Sequence, residues 1–121
     1  MENKKTLVLG ASNNPTKYSY LAVTFLTQKN IDVVAVGKEN GFIGQVPILT
    51  AMPTNITFHT ITLYINPILQ EKYIHQNLLL KPIRIIFNPG TENESFKKEA
   101  LKNNIICVEA CTLVLLKTNQ Y

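Results

Sequence analysis

The sequence predicts an α/β domain in which a five-stranded parallel sheet carries helices on both faces. Short apolar runs alternate with longer segments of helical periodicity, and turn residues separate them. Strands that are separated by helices of this length need crossover connections, which make the strands parallel. The predicted strands are residues 5–10, 32–37, 58–65, 83–88 and 105–109.

Three helices are predicted between these strands, at residues 15–29, 67–80 and 92–103. In the first helix we expect Asn14 to be the N-cap and Pro15 to be the first helical residue, where its missing N–H costs nothing. The third should begin with a capping box made by Thr91 and Glu94. Residues 38–53 are interpreted as a loop, and the tail 112–121 has no assignment. The apolar stripe of the first helix consists of Tyr18, Leu21, Ala22, Phe25 and Leu26.

Length and composition limit the possible classes of protein. The chain has 121 residues, which suits one domain spanning 1–121, and 45% of them are hydrophobic, as expected of a soluble globular protein. No apolar run approaches the ~20 residues of a membrane span, and the polar N-terminus resembles no targeting signal. We therefore expect a cytoplasmic protein without a membrane partner. Two cysteines at i, i+4 spacing predict neither a disulfide framework nor a metal site.

The net charge of +4 favours a small anionic ligand. The basic residues are scattered, and there is no tryptophan or other nucleic-acid motif. A nucleic-acid partner is therefore not expected.

The first strand-to-helix turn is the most informative segment. The apolar run Leu7 to Leu9 is followed by Gly10, Ala11 and Ser12, which are small enough to let a ligand approach the backbone. A helix N-terminus that follows such a turn favours an anion such as a pyrophosphate. The common dinucleotide fingerprint fails, because Ser12 and Pro15 occupy positions where it requires glycine. An NAD-dependent dehydrogenase is therefore a poor interpretation.

No catalytic group is evident in the sequence. His59 and His75 lie beside no nucleophile, so we expect both to be structural or solvated. Arg84 opens a strand and is expected to be a solvated charge. Cys107 lies in an apolar strand, whereas Cys111 follows the last strand, where a redox or ligand-facing role stays open. We predict that the chain is not an enzyme.

Three motifs resemble the small stand-alone CoA-binding proteins, which are similar to the CoA-binding domain of the succinyl-CoA synthetase α subunit. The motifs are GASNNPTKYSY, GFIGQVPI and NPGTEN followed later by Cys111, and the resemblance covers nearly the whole chain. It implies a Rossmann-like fold that binds CoA or an acyl-CoA across the strand ends. We expect five strands in the order 3-2-1-4-5. After strand two the family commonly has Val-Asn-Pro-Lys, where this chain has Val36-Gly37-Lys38-Glu39.

The expected function is therefore non-catalytic binding of CoA through the first turn. Ser12 and the N–H groups from Ala11 to Asn14 would hold the pyrophosphate, and Lys17 and Lys38 are the candidate cations for the remaining phosphate. Another nucleotide-binding or redox-sensing domain, or an interaction module with a vestigial site and an unknown protein partner, stays possible. The full predicted site comprises Gly10, Ala11, Ser12, Asn13, Asn14, Lys17, Tyr18, Gly37, Lys38, Asn88, Pro89, Gly90, Asn93 and Cys111.

Overall fold

A computed structural model describes residues 3–121, and these residues form one α/β domain with seven strands and five helices. The strands are β1 (Thr6–Ala11), β2 (Val33–Gly37), β3 (Gly41–Ile43), β4 (Val46–Leu49), β5 (Thr60–Leu63), β6 (Arg84–Phe87) and β7 (Ile106–Glu109). The helices are α1 (Tyr18–Gln28), α2 (Pro67–Gln70), α3 (Ile74–Leu79), α4 (Glu94–Lys102) and α5 (Thr112–Lys117).

The strands form one sheet in the order β3-β4-β2-β1-β5-β6-β7. Every neighbouring pair is parallel except β3 and β4. The predicted order of five strands, 3-2-1-4-5, is therefore wrong. The third predicted strand is β5, which lies between β1 and β6. It cannot lie outside β2, because β4 occupies that edge and pairs with β2 through Ala35 and Val36.

The strands β3 and β4 lie in the segment for which the sequence predicts a loop. Their connection has only two residues, and the first, Gly44, has φ +59°. A two-residue turn with glycine between apolar residues is a hairpin signal, although the strands here are unusually short.

The helix boundaries differ from the prediction at two N-termini. The helix α1 begins at Tyr18, and the preceding side chain, Lys17, makes no capping hydrogen bond. Asn14 is not the N-cap; its Oδ1 accepts hydrogen bonds from the N–H (3.0 Å) and hydroxyl (2.8 Å) of Thr16 instead. The N-cap of α4 is Asn93, whose Oδ1 accepts from Phe96 N at 3.1 Å. The predicted capping box with Thr91 does not form.

The helix predicted for residues 67–80 is interrupted, giving α2 and α3. Gln70 at the end of α2 is completely buried, and its Nε2 donates to the main-chain oxygens of Ile65 (2.9 Å) and Thr91 (2.7 Å). These two bonds tie the end of α2 to the strand ends on either side. The chain then turns before α3 begins.

Apolar side chains cover both faces of the sheet. Leu7 and Leu9 of β1 belong to one cluster, while Val8 and Ala11 belong to the other. The first cluster also contains Phe96 and Ala100 of α4 and contacts Ile74 and Leu78 of α3. The second contains Val23 and Leu26 of α1 and Leu116 of α5. The predicted helix stripe is therefore shifted, because Tyr18 is 71% exposed and Val23 is buried.

The unassigned tail forms α5 and then returns to the amino-terminal edge of the sheet. There the hydroxyl of Tyr121 hydrogen-bonds with that of Thr6, and Lys4 Nζ donates to the Tyr121 main-chain oxygen at 2.6 Å. The guanidinium of Arg84 lies 4.3 Å from the Tyr121 ring centroid, and its Nε donates to Thr60 Oγ1 at 2.8 Å. The prediction that Arg84 is a solvated charge is wrong.

Within residues 3–121 no helix combines the length and the apolar character needed to cross a bilayer.

Burial raises the pKa of both Tyr64 and Tyr121, although the hydrogen bond between Tyr121 and Thr6 opposes the shift at Tyr121. An unfolded tyrosine ionises near pH 10, whereas these two tyrosines ionise at higher pH in the folded protein. The stability that this difference contributes is complete below pH 10 and is lost as the pH rises through the folded pKa values. We therefore expect the free energy of unfolding to fall with pH above 10 more steeply in the wild type than in Tyr64→Phe or Tyr121→Phe. Urea unfolding at pH 8 to 11 measures these slopes, and equal slopes would contradict the prediction.

Candidate functional site

The crevice lies where the order of the strands reverses. The chain passes from β1 to β2 on one side and later to β5 on the other, so β1 lies at the switch point of the sheet. Ligands of open α/β sheets bind beyond the carboxyl ends of the strands at such a point. A cavity of about 500 Å³ lies there, a size within the usual range for small-molecule sites. It is lined by Leu9, Gly10, Ala11, Ser12, Asn13, Lys17, Val36, Gly37, Lys38, Glu39, Tyr64, Ile65, Asn66, Leu69, Lys72 and Tyr73.

Gly10 shapes the centre of the crevice. The pairing of β1 with β2 shifts register between Leu9 and Ala11, which makes Gly10 a bulge with φ +100°. A Cβ at Gly10 would lie 2.8 Å from Ile65 Cγ2 and equally close to the main-chain carbon and oxygen of Tyr64. From the sequence, this glycine was expected to allow the close approach of a ligand. In the structure, the chain at the end of β5 already leaves no room for a side chain at residue 10.

Two further glycines hold the hairpin against the first turn. A Cβ on Gly37 would lie 2.1 Å from the Ala11 main-chain oxygen, and one on Gly41 would lie 3.1 Å from Asn13 Nδ2. The end of β2 and the start of β3 therefore pack directly on the turn. Both contacts help to define the β2 side of the crevice.

Two residues of the first turn form a hydrogen bond with each other. Ser12 Oγ accepts from the Asn14 N–H at 3.1 Å, which leaves the Ser12 hydroxyl proton for another acceptor. The Asn14 N–H is thus bonded within the turn, and Asn14 lies outside the lining of the cavity. Ser12 itself is half-buried and lines the cavity.

The charged groups of the crevice are mostly positive. In the part of the chain that the structure describes, three lysines line the crevice, Lys17, Lys38 and Lys72, against one glutamate, Glu39. The two ion pairs found within residues 3–121 use other lysines, Lys97 and Lys102. The positive charge of the crevice is therefore available to an anion.

Half of the predicted site residues come together in this cavity: Gly10, Ala11, Ser12, Asn13, Lys17, Gly37 and Lys38. The other half lie outside its lining: Asn14, Tyr18, Asn88, Pro89, Gly90, Asn93 and Cys111.

Asn88 and Asn93 have structural contacts that occupy their side chains. The buried Nδ2 of Asn88 donates to Thr62 Oγ1 (2.7 Å) and to Leu63 O (2.8 Å), while its Oδ1 accepts from Thr112 N at 2.8 Å. Asn93 caps α4 and donates to Gln70 Oε1 at 3.0 Å. These asparagines connect strand ends to helices.

The two cysteines have different environments. Burial raises the pKa of Cys107, which lies in β7 against the core. Cys111 is half-buried immediately before α5, at the carboxyl end of β7, and it lies outside the lining of the cavity.

The two histidines lie apart from the cavity. His59 Nδ1 is 2.7 Å from Thr60 Oγ1 at the opposite edge of the sheet, and His75 is exposed on α3. Neither lines the crevice.

Sequence analysis missed the β5 side of the crevice. This side is formed by Tyr64, Ile65, Asn66, Leu69, Lys72 and Tyr73. The Asn66–Pro67 pair is a turn signal that follows β5, and Asn66 Oδ1 caps α2 by accepting from Leu69 N at 2.9 Å. The predicted strand order put β5 beside β2 and away from β1. The turn after β5 was therefore not expected to lie beside the first turn.

The model of the CoA binding domain family matches residues 4–117 of the sequence. The chain belongs to the CoA binding domain family. The resemblance inferred from the three sequence motifs is thereby confirmed. No curated protein matches the sequence significantly.

Solved structures share the fold. A crystal structure of an uncharacterised protein is 39% identical over 100% of both chains, with a TM-score of 0.96. A hypothetical protein from Pyrococcus horikoshii OT3 is 21% identical over 97% of this chain and 84% of its own, with a TM-score of 0.86. The cell-free ID.343 protein from Thermus thermophilus is 15% identical over 98% and 91%, with a TM-score of 0.82. The last two show the fold alone.

Gly10→Ala should destabilise the protein strongly, because the new methyl group would meet the β5 backbone as well as adopt a positive φ. Gly90→Ala is the matched control, since Gly90 has φ +91° and a Cβ there would meet nothing within 4 Å beyond its chain neighbours. We expect Gly90→Ala to cost about 1–2 kcal/mol and Gly10→Ala to cost clearly more, roughly 3 kcal/mol. Equal losses in denaturant unfolding would show that β5 does not approach β1 closely.

Proposed function

We propose that this protein binds CoA or an acyl-CoA in the crevice at the first turn and does no chemistry by itself. One observation carries the proposal: the small-residue turn lies at the switch point of the sheet beside three lysines that form no ion pair within the described residues. Membership of the CoA binding domain family supports this choice of ligand.

The turn and the β2 side would hold the phosphates. Nucleotides on such sheets place their phosphates at the first turn and their ribose at the end of the second strand. The Ser12 hydroxyl and Lys17 would therefore contact the pyrophosphate. Lys38 would contact the phosphate on the ribose, with Glu39 beside it opposing that contact.

The cavity lining supports binding without catalysis. Among residues 3–121, the lining includes no histidine or cysteine, and the one carboxylate in it, Glu39, is exposed. A hydroxyl such as that of Ser12 needs a neighbouring base to become a nucleophile, and its observed partner is the Asn14 N–H, which is a donor.

CoA should stabilise the folded protein, and NAD should not, because the dinucleotide fingerprint is absent. At a hundredfold excess over its dissociation constant, a ligand adds about 2.7 kcal/mol to the stability, which thermal melting resolves. Equal stabilisation by both ligands would favour a different nucleotide-binding or redox-sensing domain. No stabilisation by either would favour an interaction module.

The proposal that the protein binds CoA without catalysing a reaction has a separate test. The purified protein is incubated with acetyl-CoA, and release of the CoA thiol is measured with a thiol reagent. Turnover that disappears in Cys111→Ser would overturn it, because Cys111 is a free cysteine that follows β7 at the carboxyl-terminal edge of the sheet, the edge at which the crevice lies.

Lys38→Ala should weaken CoA roughly tenfold and leave dephospho-CoA nearly unchanged, because a charge-assisted contact to the ribose phosphate is lost. Glu39→Lys should tighten CoA, since it restores the charge common in the family. Lys98→Ala, on exposed α4 surface, controls for the change in net charge. Calorimetric titration of both ligands measures the effects, and a wild type that prefers dephospho-CoA would overturn the role of Lys38.

A further inference from the structure

One edge of the sheet is formed by β7, which among the described residues has no strand on its outer side. The N–H groups of Ile106 and Ala110 donate to main-chain oxygens of β6 and of the residue before it, at 3.0 and 3.2 Å. Every second residue of a strand directs its N–H and C=O to the same side, so those of Cys107 and Glu109 point away from β6. Such an open edge is a template for pairing with another strand.

The usual devices that stop an edge strand from pairing are absent from β7. It contains no proline or lysine, and its register with β6 is regular over all four residues. Its one charged side chain, Glu109, forms an ion pair with Lys97 of α4 at 3.7 Å. The other edge strand, β3, has only three residues and packs on the first turn through Gly41. Of the two edges, β7 is therefore the better suited to pairing.

The face of β7 that is turned away from α4 is apolar and open. Cys107 packs against the core cluster on the α4 side, so Ile106 and Val108 face the opposite side. Ile106 is 57% exposed, and Val108 is half-buried. A neighbouring strand that carries apolar side chains on this face would remove part of this surface from water, which favours pairing.

A second copy of this chain fits the edge when its β7 runs antiparallel, with a twofold axis at Val108. Cys107 of each copy then lies opposite Glu109 of the other, and all their outward N–H and C=O groups are paired. Moving the axis to Cys107 would put Glu109 opposite Ile105, whose N–H already donates to Ala100 O. Moving it to Glu109 would put the two glutamates opposite each other. The axis at Val108 is therefore the favoured register.

The charges of this edge are self-complementary in that register. Lys97 lies over the α4 side of β7, with its Nζ 3.7 Å from Glu109 Oε1 and its main-chain oxygen 3.9 Å from Cys107 Sγ. Glu109 of the second copy, opposite Cys107, therefore comes next to Lys97 of the first. Two lysines and two glutamates then alternate around the axis. On the other face, Val108 packs against Val108 of the second copy.

We propose that two copies of this chain pair through β7 and form one continuous sheet with a twofold axis at Val108. The antiparallel pairing directs the carboxyl ends of the strands, and with them the two crevices, to opposite ends of the joined sheet. Each crevice lies at β1, three strands from β7. The interface leaves both crevices open, so dimer formation and ligand binding are separate properties.

Sedimentation velocity at rising protein concentration measures the pairing, and the wild type should form a dimer. Glu109→Lys and Lys97→Glu should each weaken the dimer roughly a hundredfold, because like charges then meet around the axis. An equal mixture of these two variants should restore a dimer, since one copy carries only lysines and the other only glutamates at the two positions. Glu99→Lys and Lys98→Glu make the same charge changes on exposed positions of α4 and should dimerise like the wild type.

Single-cysteine variants test the register. In a chain with Cys107→Ser and Cys111→Ser, Val108→Cys should give a disulfide-linked dimer on mild oxidation, because the two Cα atoms would lie about 4.5 Å apart. Ile106→Cys in the same background should not, since Ala110 of the second copy lies opposite it. A wild type that is monomeric at every concentration would overturn the proposal. So would a dimer that both Glu109→Lys and Lys97→Glu preserve, a mixture of the two that stays monomeric, or cross-linking at residue 106 in place of 108.

Discussion

The close approach of β5 to β1 at Gly10 is the contact on which the crevice depends. The backbone of Tyr64 occupies the space that a side chain at residue 10 would need, and Tyr64 N donates to Leu9 O at 2.8 Å. This contact fixes β5 beside β1 up to its last residue. Because β2 pairs with the other edge of β1, the strand order reverses there, and the crevice opens above that reversal. The position of the site is thus set by strand pairing, with the small turn residues fitted to it.

The alternation of strands and helices could be predicted from sequence, because it depends on local patterns. All five predicted strands exist, and their boundaries move by at most two residues. Strand order could not be predicted in the same way. The apolar runs of β2 and β5 look alike, and nothing local in Ile61 or Leu63 specifies β1 as a partner. The order follows from β4, which lies in the segment predicted as a loop and pairs with the outer edge of β2.

The same limit explains which of the predicted site residues lie together in the crevice. Gly10, Ser12 and Lys17 belong to one continuous segment, so their proximity follows from local structure. Polar residues at other strand ends have two possible uses, and sequence does not distinguish them. Asn88 and Asn93 were assigned to the ligand, but their amides bind the backbone and Gln70, because a buried strand-to-helix connection needs its polar groups satisfied. Gln70 carried no signal at all, although it anchors one wall of the crevice.

Polar and charged side chains have different surroundings at the amino-terminal and carboxyl-terminal edges of the sheet. At the amino-terminal edge, Arg84 contacts both Thr60 and Tyr121, so these side chains have partners within the protein. At the carboxyl-terminal edge, lysines from three separate connections, before α1, after β2 and between α2 and α3, line one cavity. Like charges that share a cavity repel one another, and packing alone gives no reason to gather them. A polyanionic ligand removes that repulsion on binding, so its binding energy and the stability of this edge are coupled, most strongly where salt does not screen the charges.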